Sequence, residues 1–345
     1  MITRPIARAD RTVTVIGLGT RGLSGALRGI EPEDVAPVVA AAIEMGCTLV
    51  DVSPAWHEAL RVTGEAVRVL RARDRVCVAC AVPPLVASTA LARAQPAGYV
   101  QKTVEDALRR LRLDAVPLAW LGGWRDAWLD GGTWPELLGT MLRLVHEGKV
   151  MAWGVIVPDG APEEALRVVA EPWLAALSVR YSLFDCAAEE QLLPAAVTAG
   201  VAVVAREPLA RGALGGELGP AVRFPPHDER LGWAAERFEA IVPELAMLAA
   251  LVKRTPAAAS TTDAGRTLLD GMRRGEDVEC ETVADLALRA VVETPGITAA
   301  VVGARRVDHV LAAIAAGDGR AIAARVRAEL QGRRWGEGWY EPAPR

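Results

Sequence analysis

Eight short apolar segments, most of them separated by stretches with helical periodicity, constrain the fold of this chain more than any other feature of its sequence. The segments are Val13–Leu18, Thr48–Val52, Val76–Ala81, Val116–Leu121, Val150–Ile156, Ala176–Tyr181, Val201–Ala205 and Ala299–Val302. Strands that are apolar almost throughout are typical of a parallel sheet covered by helices on both faces. Eight strand and helix units in a chain of 345 residues therefore predict a single α/β domain with the architecture of a (β/α)8 TIM barrel.

The spacing of the units predicts one domain over residues 1–345 with two additions to the barrel. About ninety residues separate Ala205 from Ala299, roughly three times the length of an ordinary βαβ unit. We expect residues 206–282 to form an extended region over the barrel mouth, in which Leu231–Val252 and Val283–Val292 are predicted helices and Thr255–Glu279 is predicted to be mobile. Residues 318–345 are predicted to form a C-terminal tail.

Charge and hydropathy exclude several classes of partner. The 39 basic and 43 acidic residues are interspersed and leave a net charge of -4, so no basic stripe predicts nucleic-acid binding. No uncharged apolar stretch approaches the roughly 20 residues that a membrane span needs, and residues 1–10 lack the apolar run of a secretory signal. We therefore expect a soluble, cytoplasmic protein that acts on a small-molecule substrate, and its oligomeric state stays open.

Two motifs that suggest other chemistry fit poorly with their surroundings. Cys77 and Cys80 form C-x-x-C inside a predicted strand, where a spacing of three directs the two thiols to opposite faces, so no metal site is predicted. Gly17–Gly22 matches the dinucleotide fingerprint G-x-G-x-x-G, which requires its third glycine to lie in an opening helix. Further glycines and Pro32 keep this chain non-helical until about Glu33, which disfavours a Rossmann fold.

Several segments of the chain resemble the aldo-keto reductase family, nearly from end to end. They are Gly17–Thr20, Gly46–Asp51, Arg180–Asp185, Glu189 with Leu192–Pro194, Pro208–Gly216 and Val302–Arg305. The resemblance implies a (β/α)8 barrel and, in the ordinary members of the family, reduction of a carbonyl group with NADP(H).

The resemblance also implies that the reductase site is incomplete. Ordinary members use an aspartate, a tyrosine that protonates the carbonyl oxygen, a lysine and a histidine. Asp51 takes the position of the aspartate, but Trp56, Ala81 and Gly122 take the other three positions. An indole N–H is not an acid, and a general acid contributes roughly 10² to 10⁴ in rate, so ordinary carbonyl reduction is disfavoured.

The NADP(H) site that the resemblance implies is also altered. The polar pair that holds the cofactor carboxamide in the family aligns with Ile156 and Val157, and a nearby glutamine aligns with Ser178. The residues that the resemblance leaves for cofactor binding are Arg206, Leu209, Gly212, Leu214, Gly303, Arg305 and Arg306. The sequence therefore leaves open whether NADP(H) binds.

Asp51 and His57 are the candidate acid and base for chemistry without hydride transfer. His57 directly follows the position of the lost tyrosine, and the ordinary pKa of histidine suits proton transfer near neutral pH. His57 could instead be a partly exposed loop residue without a catalytic role, and Asp51 could be a buried structural carboxylate. The candidate substrate-binding residues are Trp56, Trp120, Trp124, Arg180 and Tyr181, although the tryptophans could belong to the core and Arg180 could pair with Asp185.

Three functions are compatible with this sequence. The first is a non-redox enzyme that performs a dehydration, elimination, isomerisation or cyclisation, with secondary metabolism as one source of its substrate. The second is an NADPH-dependent oxidoreductase that uses a replaced general acid. The third is a binding protein without catalysis.

Overall fold

The computed structural model describes residues 1–23, 32–85, 93–216, 235–252, 278 and 280–331, without the side chains of 32–34, 57, 235–240 and 331. More than half of the predicted region 206–282 and half of the predicted tail 318–345 lie outside these residues, as do all but one position of the segment that was predicted to be mobile. The single-domain boundaries therefore stay a prediction.

Eight parallel strands close into a barrel, which confirms the predicted (β/α)8 fold. They are β3 (Ile16–Gly19), β4 (Leu49–Val52), β5 (Cys77–Val82), β6 (Leu118–Leu121), β7 (Trp153–Ile156), β8 (Leu174–Arg180), β9 (Ala202–Arg206) and β10 (Ala299–Gly303). Neighbours in sequence are neighbours in the barrel, and β10 pairs with β3 to close it. The predicted strand Val13–Leu18 is divided between two elements. Its first two residues belong to a separate hairpin, and its last three belong to β3.

That hairpin, β1 (Thr3–Ile6) with β2 (Arg11–Thr14), closes the N-terminal end of the barrel. Ile6, Ala9 and Val13 are buried against the lowest layer of the barrel interior. Arg8 holds the turn in place, since its guanidinium donates hydrogen bonds to the backbone oxygens of Leu174 (2.8 Å) and Ala199 (2.6 Å). Polar contacts to backbone and apolar contacts to the barrel thus seal this end.

Nine α-helices lie within the described residues. They are α1 (Pro32–Glu44), α2 (His57–Val69), α3 (Ala97–Leu111), α4 (Trp134–His146), α5 (Leu192–Ala199), α6 (Ala235–Leu251), α7 (Val283–Glu293), α8 (Val307–Ala315) and α9 (Ala324–Gln331). The predicted helices Leu231–Val252 and Val283–Val292 are confirmed as α6 and α7. Residues 231–234 of the first lie outside the described residues. Between β7 and β8 the chain forms the short 3-10 turns Pro162–Ala165 and Val168–Ala170. None of the helices in the described ranges has the length and the apolar character that crossing a bilayer requires.

Apolar side chains form one layer inside the barrel and another between the strands and the helices. The C-x-x-C pair illustrates the division, since Cys77 packs in the barrel interior and Cys80 packs under the helices. Burial raises the pKa of the Cys77 thiol to about 12, so it stays protonated and inert. The prediction that these two thiols face opposite sides of the strand is confirmed.

Candidate active site at the barrel mouth

A cleft of about 1900 Å³ opens where the strands end at their carboxyl side, which is where barrel enzymes place their active sites. Its floor is lined by residues from the strands or from the turns directly after them, namely Gly19, Asp51, Ala81, Trp120, Ile156, Ser178, Arg206 and Val301. The cleft then extends past the loop after β9 and over the start of α8. It is large enough for a substrate and a cofactor together.

Asp51 and Trp120 form the hydrogen-bonded centre of this floor. The indole Nε1–H of Trp120 donates to Asp51 Oδ1 at 2.9 Å. Trp120 reaches the aspartate because its neighbours in register are Ala81 on β5 and Gly154 on β7, which leave room for the ring. A Cβ atom on Gly154 would lie 2.3 Å from the Trp120 ring. Small residues on both sides therefore allow a fully buried tryptophan to cross the barrel interior.

The surroundings of Asp51 hold its protonation equilibrium close to neutral pH. Burial raises the pKa of Asp51 from 3.8 to about 7, although the hydrogen bond from Trp120 and the positive charge of Arg206 both lower it. Among the described residues, Trp120 is the one hydrogen-bond donor to this carboxyl group. Asp51 therefore gains and loses its proton near neutral pH.

The loop after β4 carries the other two residues that were predicted near Asp51. Trp56 is partly exposed and lines the cleft, and its backbone N–H donates to the oxygen of Ser53 at 2.9 Å. His57 is the first residue of α2, and its side chain lies outside the described part of the structure. The predicted pairing of Asp51 with His57 is therefore untested.

An ion-pair cluster surrounds Asp159, in the loop after β7. Asp159 lies 2.5 Å from Arg206 Nη1, 3.4 Å from Arg180 Nη1 and 3.7 Å from Arg211 Nη2. Burial acts to raise the pKa of Asp159, but the charges of Arg206 and Arg180 hold it below the ordinary value. Arg211 also pairs with Glu207 at 3.1 Å. Sequence reasoning missed Asp159, and the available signal was an Asp-Gly turn directly after a strand.

The structure corrects the assignment of Arg180 and Tyr181 to substrate binding, since neither lines the cleft. Arg180 is buried, and its Nε donates to Asp185 Oδ2 at 2.6 Å, which is the alternative pairing that the sequence allowed. The Tyr181 hydroxyl bonds to the Glu189 carboxylate and lies 3.0 Å from Thr294 Oγ1. Burial raises the pKa of Tyr181, so its phenol is a weaker acid than a free tyrosine.

Trp124 is also corrected, because it belongs to a buried aromatic cluster outside the cleft. Its ring centroid lies 5.4 Å from that of Trp128 and 5.3 Å from that of Trp134, both in edge-to-face geometry, and 6.0 Å from that of Trp173. Its indole N–H donates to Asp126 Oδ1 at 3.0 Å. This full burial and internal pairing leave no surface of Trp124 for a ligand.

Six of the seven residues predicted for cofactor binding line the cleft. They are Arg206, Leu209, Gly212, Gly303, Arg305 and Arg306. Leu214 does not, since it is buried against Ala210, Ala213 and Leu248. Gly212 has a φ of 94°, which only glycine adopts without strain, and this lets the loop after β9 turn sharply at the cleft edge.

The two ends of the cleft differ in how well they fit a dinucleotide. Arg305 and Arg306 lie at the start of α8, where guanidinium groups and a helix N-terminus favour phosphate, and Arg306 already pairs with Asp308. At the deep end, the side chains of Ile156 and Val157 carry no hydrogen-bonding group that could hold a carboxamide. The residues present fit a phosphate group at one end, and at the other end Ser178 is the residue of these three aligned positions that keeps a hydrogen-bonding side chain.

Comparisons with known proteins agree with this architecture. The model of the aldo/keto reductase family matches residues 15–326. Aldo-keto reductase YhdN of Bacillus subtilis is 28% identical over 218 residues, which cover 62% of this chain and 64% of that protein. The probable aldo-keto reductase 1 of Glycine max is 26% identical over 59% of this chain and 58% of that protein. The chain thus matches about three fifths of the length of these two curated relatives.

Solved structures extend the likeness to the whole chain. An aldo-keto reductase from Klebsiella pneumoniae in complex with NADPH is 26% identical, with a TM-score of 0.63 over 98% of this chain and 99% of that one. The holo form of an aldo-keto reductase from Bacillus halodurans has a TM-score of 0.68 at 19% identity, over 99% of this chain and all of that one, and shows the fold alone. On the family match, the barrel and the position of its cleft, this chain belongs to the aldo/keto reductase family.

Proposed function

We propose that this member of the family catalyses a non-redox proton transfer on a small organic substrate, in a dehydration, elimination, isomerisation or cyclisation. One observation carries the proposal. The Asp51 carboxyl group lies in the cleft with a pKa of about 7, held by the indole N–H of Trp120. The resemblance to reductases supports it further, because the positions that would hold the acid, its lysine and the histidine carry Trp56, Ala81 and Gly122.

A proton-transfer catalyst is most effective when its pKa lies near the working pH. Near neutral pH Asp51 can lose and regain its proton, so the carboxylate can remove a proton and the acid can give one. A carboxylate that removes a proton from a carbon next to a carbonyl group becomes the acid, and it can then return that proton to the oxygen that departs or to the carbon that is reprotonated. One residue can therefore serve both halves of an isomerisation.

The neighbours of Asp51 orient the carboxyl group and place apolar surface beside it. Trp120 holds Oδ1, which leaves Oδ2 as the oxygen that can meet a substrate proton. Ala81, Ile156 and Val157 give the floor an apolar wall, which disfavours the charged carboxylate and keeps its pKa high. His57 begins the helix directly after this loop, and we propose it as the partner that carries the second proton.

Deuterium exchange tests the proposal without knowledge of the natural substrate. The purified protein, free of nucleotide, is incubated in D₂O with a panel of ketones and β-hydroxy ketones that carry an α-hydrogen, and exchange is followed by NMR. We expect exchange at the α-carbon that falls by about 10² or more in Asp51→Asn. Matched measurements on His57→Ala test its proposed part. Exchange at the buffer rate across the panel, or an undiminished rate in Asp51→Asn, overturns the assignment.

A second candidate is NADPH-dependent carbonyl reduction with Asp51 as the replaced acid. The observation that favours it is the pair Arg305 and Arg306 on the cleft wall, together with the NADPH bound in the Klebsiella pneumoniae relative. A fluorescence titration with NADPH and NADP⁺ separates the two candidates. Micromolar binding favours this second function, whereas no binding at millimolar concentration leaves proton transfer alone.

A further inference from the structure

We propose that the substrate of the barrel-mouth site is an organic acid, and that its carboxylate replaces Asp159 on Arg206. This inference rests on the proposed function, because it names the class of substrate that the same site takes. It is carried by the contacts of Arg206 and by the position of Asp159 in a loop at the edge of the cleft.

Arg206 is incompletely satisfied in the present arrangement. Its Nη2 donates to the backbone oxygen of Val157 at 2.6 Å, and its Nη1 lies 2.5 Å from Asp159 Oδ1. Its Nε–H is buried and has no acceptor among the described residues. A buried donor without an acceptor is unfavourable, and a guanidinium group can bind both oxygens of one carboxylate through parallel N–H bonds. A ligand carboxylate in the place of Asp159 would find one donor at Nη1 and another in the second N–H of Nη2.

Asp159 can leave Arg206 and stay paired, because two other guanidinium groups lie 3.4 and 3.7 Å from its carboxylate. It lies between Pro158 and Gly160, and the φ of Gly160 is 69°, so the residue belongs to a tight turn and not to the barrel wall. Its side chain is 41% exposed, whereas that of Arg206 is 21% exposed. Replacement of Asp159 by a ligand carboxylate exchanges one ion pair for another, so Arg206 is never left without a counter-charge.

The position of Arg206 also suits the proposed chemistry. Its positive charge acts on Asp51, so the two groups face the same floor of the cleft. A substrate held at Arg206 by its carboxylate would present neighbouring carbon atoms to the Asp51 carboxyl group. The partly exposed Trp56 and the side chain of Ile156 add apolar wall beside it, which favours an organic acid with an apolar or aromatic body.

Binding measurements with benzoate test this inference directly. Benzamide has the same shape without the charge, and calorimetry on the nucleotide-free protein compares the two. We expect benzoate to bind about tenfold more tightly than benzamide. Arg206→Met should remove the preference, and Asp159→Asn should strengthen benzoate binding several-fold because the internal competitor has lost its charge. Equal binding of benzoate and benzamide, or weaker benzoate binding in Asp159→Asn, overturns the inference.

Two control variants show whether the preference for benzoate belongs to Arg206 in particular. Arg125 lines the same cleft and pairs with Glu164 at 3.1 Å, so Arg125→Met should keep the preference. Asp51→Asn removes the proposed chemistry and should still bind benzoate, so the two proposals can fail independently. If NADP⁺ binding, and not benzoate binding, depends on Arg206 and Asp159, the anion is the cofactor diphosphate and the organic-acid inference is overturned.

Discussion

At the scale of single residues, the site depends on a carboxyl group whose protonation is set by its surroundings. Asp51 has a pKa of about 7 in the folded protein and about 4 in an unfolded chain. The folded protein therefore holds the proton more tightly than the unfolded chain does between these two values. Stability from this group is complete below pH 4 and is lost as the pH rises towards 7.

Asp51→Asn should remove this loss of stability with rising pH, because asparagine stays neutral and can still accept the hydrogen bond from Trp120. The variant and the native protein should differ little in free energy of unfolding at pH 4. By pH 7 the variant should be the more stable of the two by up to about 4 kcal/mol, and by less if water in the cleft solvates the carboxylate. Urea denaturation at pH 4, 5, 6 and 7 measures the difference. Asp130→Asn is the control, since Asp130 is exposed and its pKa is lowered by Arg167. If the free energies of unfolding of Asp51→Asn and the native protein change with pH in the same way, the raised pKa of Asp51 is contradicted.

At the scale of elements, the packing of β6 between its neighbours decides where Trp120 points. The strand carries apolar residues at every position, so both of its faces are buried. Gly154 on β7 gives the indole ring the space that any side chain would occupy. Register between neighbouring strands thus positions the donor that holds Asp51.

Gly154→Ala tests this packing. Its Cβ would lie 2.3 Å from the Trp120 ring and 2.7 Å from the backbone oxygen of Ala176, so we expect a loss of about 1–3 kcal/mol in stability and a weakened Trp120 contact with Asp51. Gly139→Ala in α4 is the matched control, because a Cβ there meets nothing within 4 Å. That variant should gain up to about 1 kcal/mol from higher helix propensity. Thermal unfolding compares the two variants. Equal midpoints for Gly154→Ala and Gly139→Ala would show that the Trp120 ring has more room than the structure indicates.

At the scale of the whole molecule, the two ends of the barrel have separate tasks. The hairpin closes the N-terminal end with buried apolar side chains, while the cleft and its charged groups lie at the other end. This separation lets loops at the mouth vary without loss of the core, as is general for barrels of this kind.

Ile6→Ala should therefore lower stability without changing ligand binding. Ile6 is fully buried, and truncation of such a side chain costs about 2–4 kcal/mol. Ile2→Ala, at a position that is 40% exposed, should cost less than about 1 kcal/mol. Denaturation reports the stability, and benzoate calorimetry reports the cleft at the other end. A change in benzoate affinity in Ile6→Ala would show that the two ends are coupled.

Sequence patterns were sufficient for the barrel and for the edge at which its cleft lies. Strand length, helical spacing and glycines such as Gly46 and Gly200, both with positive φ at the end of a helix, are local properties of the chain. They place Asp51 at the end of β4, and thus at the mouth, before any tertiary contact is known. The resemblance to the aldo-keto reductases added the identity of the positions around it.

Only the tertiary structure decided which side chains meet. Trp120 lies in β6 and Trp124 follows that strand, and periodicity cannot tell that Trp120 faces the barrel interior, because neither face of β6 is polar. Arg180, Arg206 and Asp159 come from three different segments, and their contact depends on the order in which the barrel closes. Long-range packing has no local signature in the sequence, so the partner of Asp51 and the counter-charge of Arg206 became visible only in the folded molecule.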